Sequence, residues 1–338
     1  MNTPRALPAP AAAGLLVWLL SMPCAAAWHE DTRAIMGTRV HVEFWLDDAD
    51  SRGPALLERC MNEMWRIDHA FSPMRDDSEL SRLNRDAGRD WVEVSDELMD
   101  LLQRSRAASE RSGGAFDITF ASVGRYYDYR QGRLPTPEEK KAVAAINYRF
   151  VELDEVKRQA RFADPRVYVD LGGIAKGWAV DRVIGILQAA RVRTASVSAG
   201  GDSRILGDRL GQPWTVGVRD PRKADGVAVL LPLVDTAVST SGDYERFFEK
   251  DGVRYHHILD PKTGDSARGA MSVTIIGPDA TLTDSLSTTV FVLGADKGLA
   301  LIDTLPGIDA IVITPAGELR YSRSLEPLSG HRESPTRE

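Results

Sequence analysis

A strand-like segment, two glycines and a helical pattern follow one another within residues 166–190, and this run constrains the fold more than any other part of the chain. Two valines alternate with polar residues over 166–171, which predicts a strand, and the apolar spacing over 174–190 predicts a helix. Gly172 and Gly173 lie between them. Paired glycines let a ligand approach the backbone, and helix-start N–H groups favour phosphate. A tight packing turn without a ligand is the alternative interpretation.

Two further polar segments are candidates for the same site. In the run 283–289, Asp284 and Thr288 are four residues apart, so on a helix they share a face. A carboxylate and a hydroxyl are oxygen ligands of the kind that Mg²⁺ prefers. Asp284 could equally be an N-terminal helix residue favoured by the helix dipole. The other segment begins at His256 and His257 and continues into an Asp-Pro-Lys-Thr-Gly loop.

Composition excludes some classes of function. The chain has 338 residues, with 43% hydrophobic and 27% charged residues, as expected for a soluble globular protein with a substantial core. The net charge is −7 and no long basic run occurs, which argues against a nucleic-acid partner. Gly172 and Gly177 have P-loop spacing, but Trp178 stands where a P-loop requires lysine, so NTP hydrolysis is not supported. The sequence also contains no dinucleotide-binding glycine motif and no common hydrolase motif.

The N-terminus has the pattern of a secretory signal peptide over residues 1–27. Arg5 supplies a positive charge, a short apolar run follows, and Ala25 to Ala27 supply small residues for cleavage. The apolar run is too short to span a bilayer. Cys24 follows Pro23, which is a poor context for lipidation, so we expect no lipoprotein anchor. The sequence therefore predicts export to the periplasm with cleavage near Ala27.

The remaining chain is predicted to form one domain, residues 28–323, followed by a disordered tail over 324–338. Strand and helix patterns do not alternate strictly, so an α+β fold with a largely antiparallel sheet and flanking helices is expected. Cys60 lies in an amphipathic helix pattern and is predicted to be a buried, inert thiol. The predicted strands are 39–45, 166–171, 194–199, 214–219, 227–234, 236–240, 253–259, 271–276 and 308–314. The predicted helices are 54–68, 95–113, 174–190 and 294–305.

Several segments together resemble a known family. They are Met36-Gly-Thr38, Ser78-Glu-Leu-Ser-Arg-Leu-Asn84, Ala115-Phe-Asp-Ile-Thr119, Asp170-Leu-Gly-Gly-Ile-Ala-Lys-Gly-Trp-Ala-Val-Asp-Arg182, Gly200-Gly-Asp202, Ser239-Thr-Ser-Gly-Asp-Tyr244, His257-Ile-Leu-Asp-Pro-Lys-Thr-Gly264 and Thr283-Asp-Ser-Leu-Ser-Thr288. In order and spacing they are similar to the ApbE family of FAD:protein FMN transferases, over residues 33–322. The resemblance implies an ApbE-like, T-fold-like single domain.

The resemblance also implies a reaction. FAD would bind with Mg²⁺ at its diphosphate, and a Ser or Thr hydroxyl of a target protein would attack the FMN phosphorus so that AMP leaves. Such phosphoryl transfer depends on charge neutralisation and positioning. The implied partner is an exported protein with a Ser/Thr-Gly-Ala-Ser/Thr motif, a subunit of a membrane electron-transfer complex. A Mg²⁺-dependent FAD pyrophosphatase and a non-enzymatic flavin-binding protein are the alternatives.

Site residues follow from the same resemblance. Metal ligands would be the side chains of Asp284 and Thr288 and the backbone carbonyl of Gly173. His257 is the candidate base for the target hydroxyl, since an unperturbed imidazole titrates near neutral pH; Asp284 is the competing base, and a structural role for His257 is the third possibility. Family positions that contact FAD correspond here to Met36, Ala115, Phe116, Asp117, Asp170, Lys176 and Ile258. Met74 stands where many members carry an aromatic residue, and its thioether can pack on a flavin or adenine ring.

Overall fold

The computed structural model describes residues 27–47, 50–223 and 226–326. The predicted signal peptide lies outside these residues except for Ala27, which pairs with Leu46 at the start of the first strand. Most of the predicted tail also lies outside them. Of its first three residues, Leu325 packs against an apolar cluster of the domain.

The helices are α1 (Gly53–Phe71), α2 (Glu79–Asp86), α3 (Asp96–Arg111), α4 (Ala121–Gly124), α5 (Ala175–Ala189) and α6 (Ala280–Ile302), with short 3₁₀ turns between α3 and α5. The strands are β1 (Ala27–Ile35), β2 (Thr38–Leu46), β3 (Val92–Glu93), β4 (Val151–Asp154), β5 (Gln159–Phe162), β6 (Ala195–Ala199), β7 (Asp202–Leu206), β8 (Trp214–Arg219), β9 (Val227–Leu233), β10 (Ala237–Gly242), β11 (Phe247–Lys250), β12 (Val253–His256), β13 (Ser272–Gly277), β14 (Asp309–Ile313) and β15 (Leu319–Tyr321).

One large sheet organises the described chain. It has eight strands in the order β1-β2-β6-β7-β10-β13-β14-β15, and every neighbouring pair is antiparallel. Smaller sheets are formed by β3-β5-β4, β8-β9 and β11-β12. This arrangement confirms the predicted α+β fold with a largely antiparallel sheet and flanking helices.

The core lies between one face of this sheet and the helices. In β2, Val40, Val42 and Phe44 are fully buried and alternate with partly exposed polar residues, as period-2 burial of one sheet face requires. Helix α1 faces them with an apolar stripe that includes Cys60. Cys60 is fully buried, as predicted, and burial raises the pKa of its thiol to about 12, which disfavours the reactive thiolate.

The prediction of a strand over 166–171 is wrong. The segment runs into the glycine turn without joining a sheet, and backbone groups of Val169 and Asp170 bond to residues that are distant in sequence. The Val169 N–H donates to Asn84 Oδ1 at 2.7 Å, and Asn84 Nδ2 donates to the Val169 carbonyl at 2.8 Å. Asp170 N–H donates to the Ile118 carbonyl at 3.0 Å. The Asn84 side-chain amide and the Ile118 carbonyl therefore replace a strand partner, which the alternation of valines could not reveal.

Helix α6 carries the predicted metal face; it begins at Ala280, well before the predicted helix 294–305, and ends at Ile302. Gly294 has non-helical backbone angles, with φ 77° and ψ 174°, and kinks it. Asp181, from α5, accepts the Ala280 and Thr281 N–H groups at 2.9 and 2.8 Å, so α5 caps the start of α6. Among the described helices α6 alone has the length and apolar character of a membrane span, and 56% of that apolar window is buried in the protein.

Gly177 is the point where α5 and α6 touch. A Cβ at this position would lie 2.1 Å from the Ala280 carbonyl oxygen and 2.8 Å from Asp284 Cβ. We expect Gly177→Ala to lower the free energy of unfolding by about 1–3 kcal/mol, since the backbones must separate. Gly185→Ala is the matched control on the same helix, because open space surrounds Gly185, and it should stabilise by about 0.5–1 kcal/mol. Urea unfolding of both variants checks this; equal stability changes would contradict it.

Candidate active site

Lys176, Asp202 and Asp284 form a buried charge cluster between α5, the start of β7 and α6. The Lys176 Nζ atom lies 2.8 Å from an Asp202 carboxylate oxygen and 3.4 Å from both Asp284 oxygens. Both carboxylate side chains are only 3% exposed. Asp284 also accepts the Gly177 N–H at 3.0 Å, and Lys176 donates to the Gly172 carbonyl at 3.0 Å. The glycine turn and α6 are therefore joined through one lysine.

Two carboxylates share one cation in this cluster. Burial, together with the charge of Asp202, raises the pKa of Asp284 well above its usual range, although Lys176 and the Gly177 N–H oppose the shift. Burial acts to lower the pKa of Lys176, but Asp202 and Asp284 outweigh it and hold that pKa above its ordinary value. The cluster is thus short of positive charge, which favours the binding of a further cation.

Thr288 lies one turn beyond Asp284 and faces Gly173 and Phe116. A Cβ built on Gly173 would lie 3.2 Å from Thr288 Oγ1 and 3.2 Å from a Phe116 ring carbon, so a side chain there would crowd this corner. Ser241 of β10 lies 3.5 Å from Thr288 Oγ1 and 2.7 Å from Ser287 Oγ. The structure therefore brings together the three predicted metal ligands Gly173, Asp284 and Thr288.

This donor set fits a divalent cation such as Mg²⁺. It consists of a buried carboxylate, a partly exposed hydroxyl and the backbone beside a glycine, all of them hard oxygen ligands. The surplus of negative charge around Lys176 supplies the electrostatic reason for binding. Lys176, which could have been a solvated helix residue, is instead 25% exposed and fixed by two carboxylates.

The two other predicted aspartates shape the backbone around this corner. Asp170 Oδ1 accepts the Gly172 N–H at 2.7 Å, and burial raises the pKa of Asp170. Asp117 accepts from Thr119 N–H and Thr119 Oγ1 with one oxygen and from Tyr148 N–H with the other. Burial also raises the Asp117 pKa. Both oxygens of Asp117 are engaged by the protein, so this residue orders the turn that carries Phe116.

The adjacent histidines His256 and His257 have different environments. His256 is 2% exposed, and its Nε2 atom lies 2.9 Å from the Ala267 carbonyl oxygen, so it belongs to the core. The Nδ1 atoms of both histidines have no hydrogen-bond partner among the described residues. Burial, together with the charges of Arg246 and Lys176, lowers the pKa of His257 to about 3. The near-neutral pKa of an unperturbed imidazole is therefore not expected for His257, because burial disfavours the charged ring.

Met36 and Gly37 form the turn between β1 and β2. Both have positive φ, 55° and 66°, the pattern of a two-residue type I′ hairpin turn. Such a backbone is strained for methionine, and strain of this kind is typical of ligand sites. The guanidinium of Arg246 lies over the turn, with Nη2 3.1 Å from the position of a Gly37 Cβ. The positive charge of Arg246 also acts to lower the pKa values of Asp170 and His257, which connects the turn with these two residues of the site.

Three residues that were predicted to contact FAD lie outside the cluster of Lys176, Asp202 and Asp284. Ala115 precedes Phe116 and is 7% exposed, and Ile258 follows His257 and packs in the α6 core. Met74 is 87% exposed, so its thioether packs on no part of the described protein. Sequence reasoning missed Arg246 and the pairing of Asp202 with Lys176. Asp202 lies in one of the family-like motifs and Arg246 two residues after another. Closeness to these motifs was the only sequence feature that could have identified them.

A buried carboxylate with a neighbouring lysine and adjacent oxygen donors offers the groups that a divalent cation and a phosphate ester require. The ApbE family model matches residues 36–312. The chain therefore belongs to the ApbE family, which confirms the resemblance of its motifs.

Curated relatives agree with this assignment. A protein of Treponema pallidum named FAD:protein FMN transferase is 34% identical over 310 residues, covering 86% of this chain and 86% of its own length. One of Vibrio cholerae with the same name is 30% identical and covers 86% of this chain and 89% of its own length.

Solved structures show the same fold. The ApbE protein of Thermotoga maritima has a TM-score of 0.81 and 36% identity, covering 89% of this chain and 99% of its own. The flavinyl transferase ApbE of Pseudomonas stutzeri, in its apo form, has a TM-score of 0.79 and 29% identity, covering 90% and 97%. At these levels of identity both the fold and the order of its elements are shared.

Proposed function

We propose that this protein transfers FMN from FAD to a hydroxyl group of a target protein. Membership of the ApbE family and the names of its relatives support the reaction. The observation that carries it to this chain is the convergence of Asp284, Thr288 and Gly173 beside Lys176. That corner offers oxygen ligands and positive charge to a diphosphate, which is what phosphoryl transfer requires.

Each step of the proposed reaction uses groups of this chain. The backbone turns at Met36 and at Gly172–Gly173 let the substrate approach closely. His257, neutral in the free protein, accepts the proton of the target Ser or Thr hydroxyl. The hydroxyl oxygen forms a bond to the FMN phosphorus while the bond from that phosphorus to the AMP oxygen breaks, and AMP leaves with the bonding electron pair. The product is a flavin joined to protein by a phosphoester.

Mg²⁺ is proposed as the metal, held by Asp284, Thr288 and the Gly173 carbonyl. When bound there, it supplies charge neutralisation for the diphosphate oxygens. Lys176 orients Asp284, and its positive charge offsets the repulsion between the buried carboxylates of Asp202 and Asp284. This arrangement leaves Asp284 a poor general base, since its carboxylate is engaged by Lys176 and the Gly177 N–H.

The decisive experiment measures both products of turnover. Protein is incubated with FAD, Mg²⁺ and a candidate target with a Ser/Thr-Gly-Ala-Ser/Thr motif; AMP is quantified and the target is weighed by mass spectrometry. One FMN per target with an equal amount of AMP supports transfer. Release of AMP with an unmodified target would instead identify an FAD pyrophosphatase, and tight FAD binding without AMP release would identify a flavin-binding protein.

The cellular setting belongs to the same proposal. The N-terminal pattern supports export to the periplasm with cleavage near Ala27, where an exported subunit of a membrane electron-transfer complex would be the target. N-terminal sequencing of protein from the periplasmic fraction should begin near Trp28. Lipid attached to Cys24 would contradict this proposal.

A further inference from the structure

Arg246 reaches the Met36–Gly37 turn at one side of the site and has no carboxylate partner among the described residues. Among the described residues, no carboxylate oxygen lies within 4.0 Å of its guanidinium, and the residue is exposed. The neighbouring arginines are bound differently: Arg222 and Arg254 lie 2.6 and 3.4 Å from the carboxylate of Asp243. Arg246 therefore remains available for an external anion, whereas the other two are held by the protein.

Arg246 lies next to His257 through its backbone and next to Gly37 through its side chain. Its carbonyl accepts the His257 N–H at 3.1 Å, which fixes the two residues side by side where β11 and β12 begin to pair. Its Nη2 atom reaches the turn at Gly37, where the absence of a side chain leaves room for it. The guanidinium therefore lies at the Met36–Gly37 turn, and its backbone is paired with that of His257.

We propose that Arg246 binds the phosphoryl oxygens of FAD during transfer and holds the FMN phosphorus beside His257. This inference rests on the proposed function. A guanidinium presents a planar fork of donors that matches two phosphate oxygens. As the target oxygen bonds to phosphorus and the AMP oxygen departs, Arg246 stabilises the charge on the phosphoryl oxygens. The proton of the attacking hydroxyl goes to His257, and no proton leaves Arg246.

The test compares Arg246→Gln with Lys250→Gln, which removes the same charge from an exposed position of the same hairpin. We expect Arg246→Gln to lower kcat for FMN transfer by about 10²–10³-fold, as for loss of one anion-stabilising donor. Arg246→Lys should recover part of this loss, because a point charge remains without the fork. Lys250→Gln should keep wild-type kinetics. Wild-type kcat in Arg246→Gln would overturn the proposal.

Two further readouts exclude a merely structural role. Inorganic pyrophosphate should bind to wild-type protein and bind about tenfold or more weakly to Arg246→Gln, as expected for loss of a hydrogen bond to a charged group. The acid limb of kcat/KM should move to higher pH in that variant, since removal of the cation lets the His257 pKa rise. Unchanged pyrophosphate affinity would reject the assignment.

Further measurements distinguish a loss of stability, and a failure of the proposed function, from a loss of phosphate binding by Arg246. If Arg246→Gln has a lowered melting temperature, Arg246→Lys decides: a reduced rate at wild-type melting temperature supports the proposal, and full activity overturns it. If wild-type protein transfers no FMN, the proposed function fails, and calorimetry with pyrophosphate on wild type and Arg246→Gln still determines whether Arg246 binds phosphate.

Discussion

Asp284→Asn should reduce Mg²⁺-dependent FMN transfer by about 10³-fold or more, since the charge stabilisation that a metal supplies is worth several kcal/mol. The amide oxygen can still accept the Gly177 N–H, and Lys176 keeps Asp202, so the melting temperature should change little. Steady-state kinetics over a range of Mg²⁺ concentrations measures the effect. Asp296→Asn is the matched control on the same helix, because the Asp296 side chain is 89% exposed and remote from the cluster.

The same carboxylate predicts how pH affects metal binding. The pKa of Asp284 is raised in the metal-free protein by burial and by Asp202, so protons compete with the metal at higher pH than for an ordinary aspartate. The Mg²⁺ concentration required for half-maximal rate should therefore increase as pH falls through that raised pKa. Wild-type turnover by Asp284→Asn, or a Mg²⁺ requirement independent of pH, would reject Asp284 as the metal ligand.

His257→Asn should lower kcat by about 10²–10⁴-fold, the usual cost of losing a general base, while the affinity for FAD changes little. Burial and nearby positive charge hold the His257 pKa near 3, so the imidazole is unprotonated at neutral pH. The wild-type kcat/KM, measured at saturating Mg²⁺, should fall only at strongly acid pH, and His257→Asn should lack that decline. A pH–rate profile of both proteins provides the measurement.

Substitutions at two other histidines are controls for this experiment. His69 is exposed on α1, and His69→Asn should have wild-type kinetics. His256 is buried against Phe291 and the Ala267 carbonyl, so His256→Asn should lower stability by about 1–3 kcal/mol through an unsatisfied buried group. If His257→Asn instead loses FAD binding and melting temperature together, His257 supports the loop and is not the base. Undiminished transfer would also exclude it as the base.

Local sequence patterns predicted secondary structure correctly where one face of the strand or helix is buried. Alternation correctly predicted β2, helical spacing predicted α5, and Ser95 caps α3 through the Leu98 N–H at 3.1 Å. Alternation failed at 166–171, because Asn84, more than eighty positions earlier, takes the hydrogen bonds that a strand would give. A periodic pattern reports which side chains are buried, but it does not identify the partner of the backbone.

The sequence by itself determined the family, the α+β class and the helix face that carries Asp284 and Thr288, since motif order and residue spacing are properties of the chain alone. Only the tertiary structure decided that Lys176 joins Asp202 to Asp284, that Arg246 reaches the turn at Gly37, and that His257 is neutral. The physical reason is that burial and neighbouring charge set these pKa values and ion pairs. Both arise from segments that are distant in sequence and meet only when the sheet and helices pack.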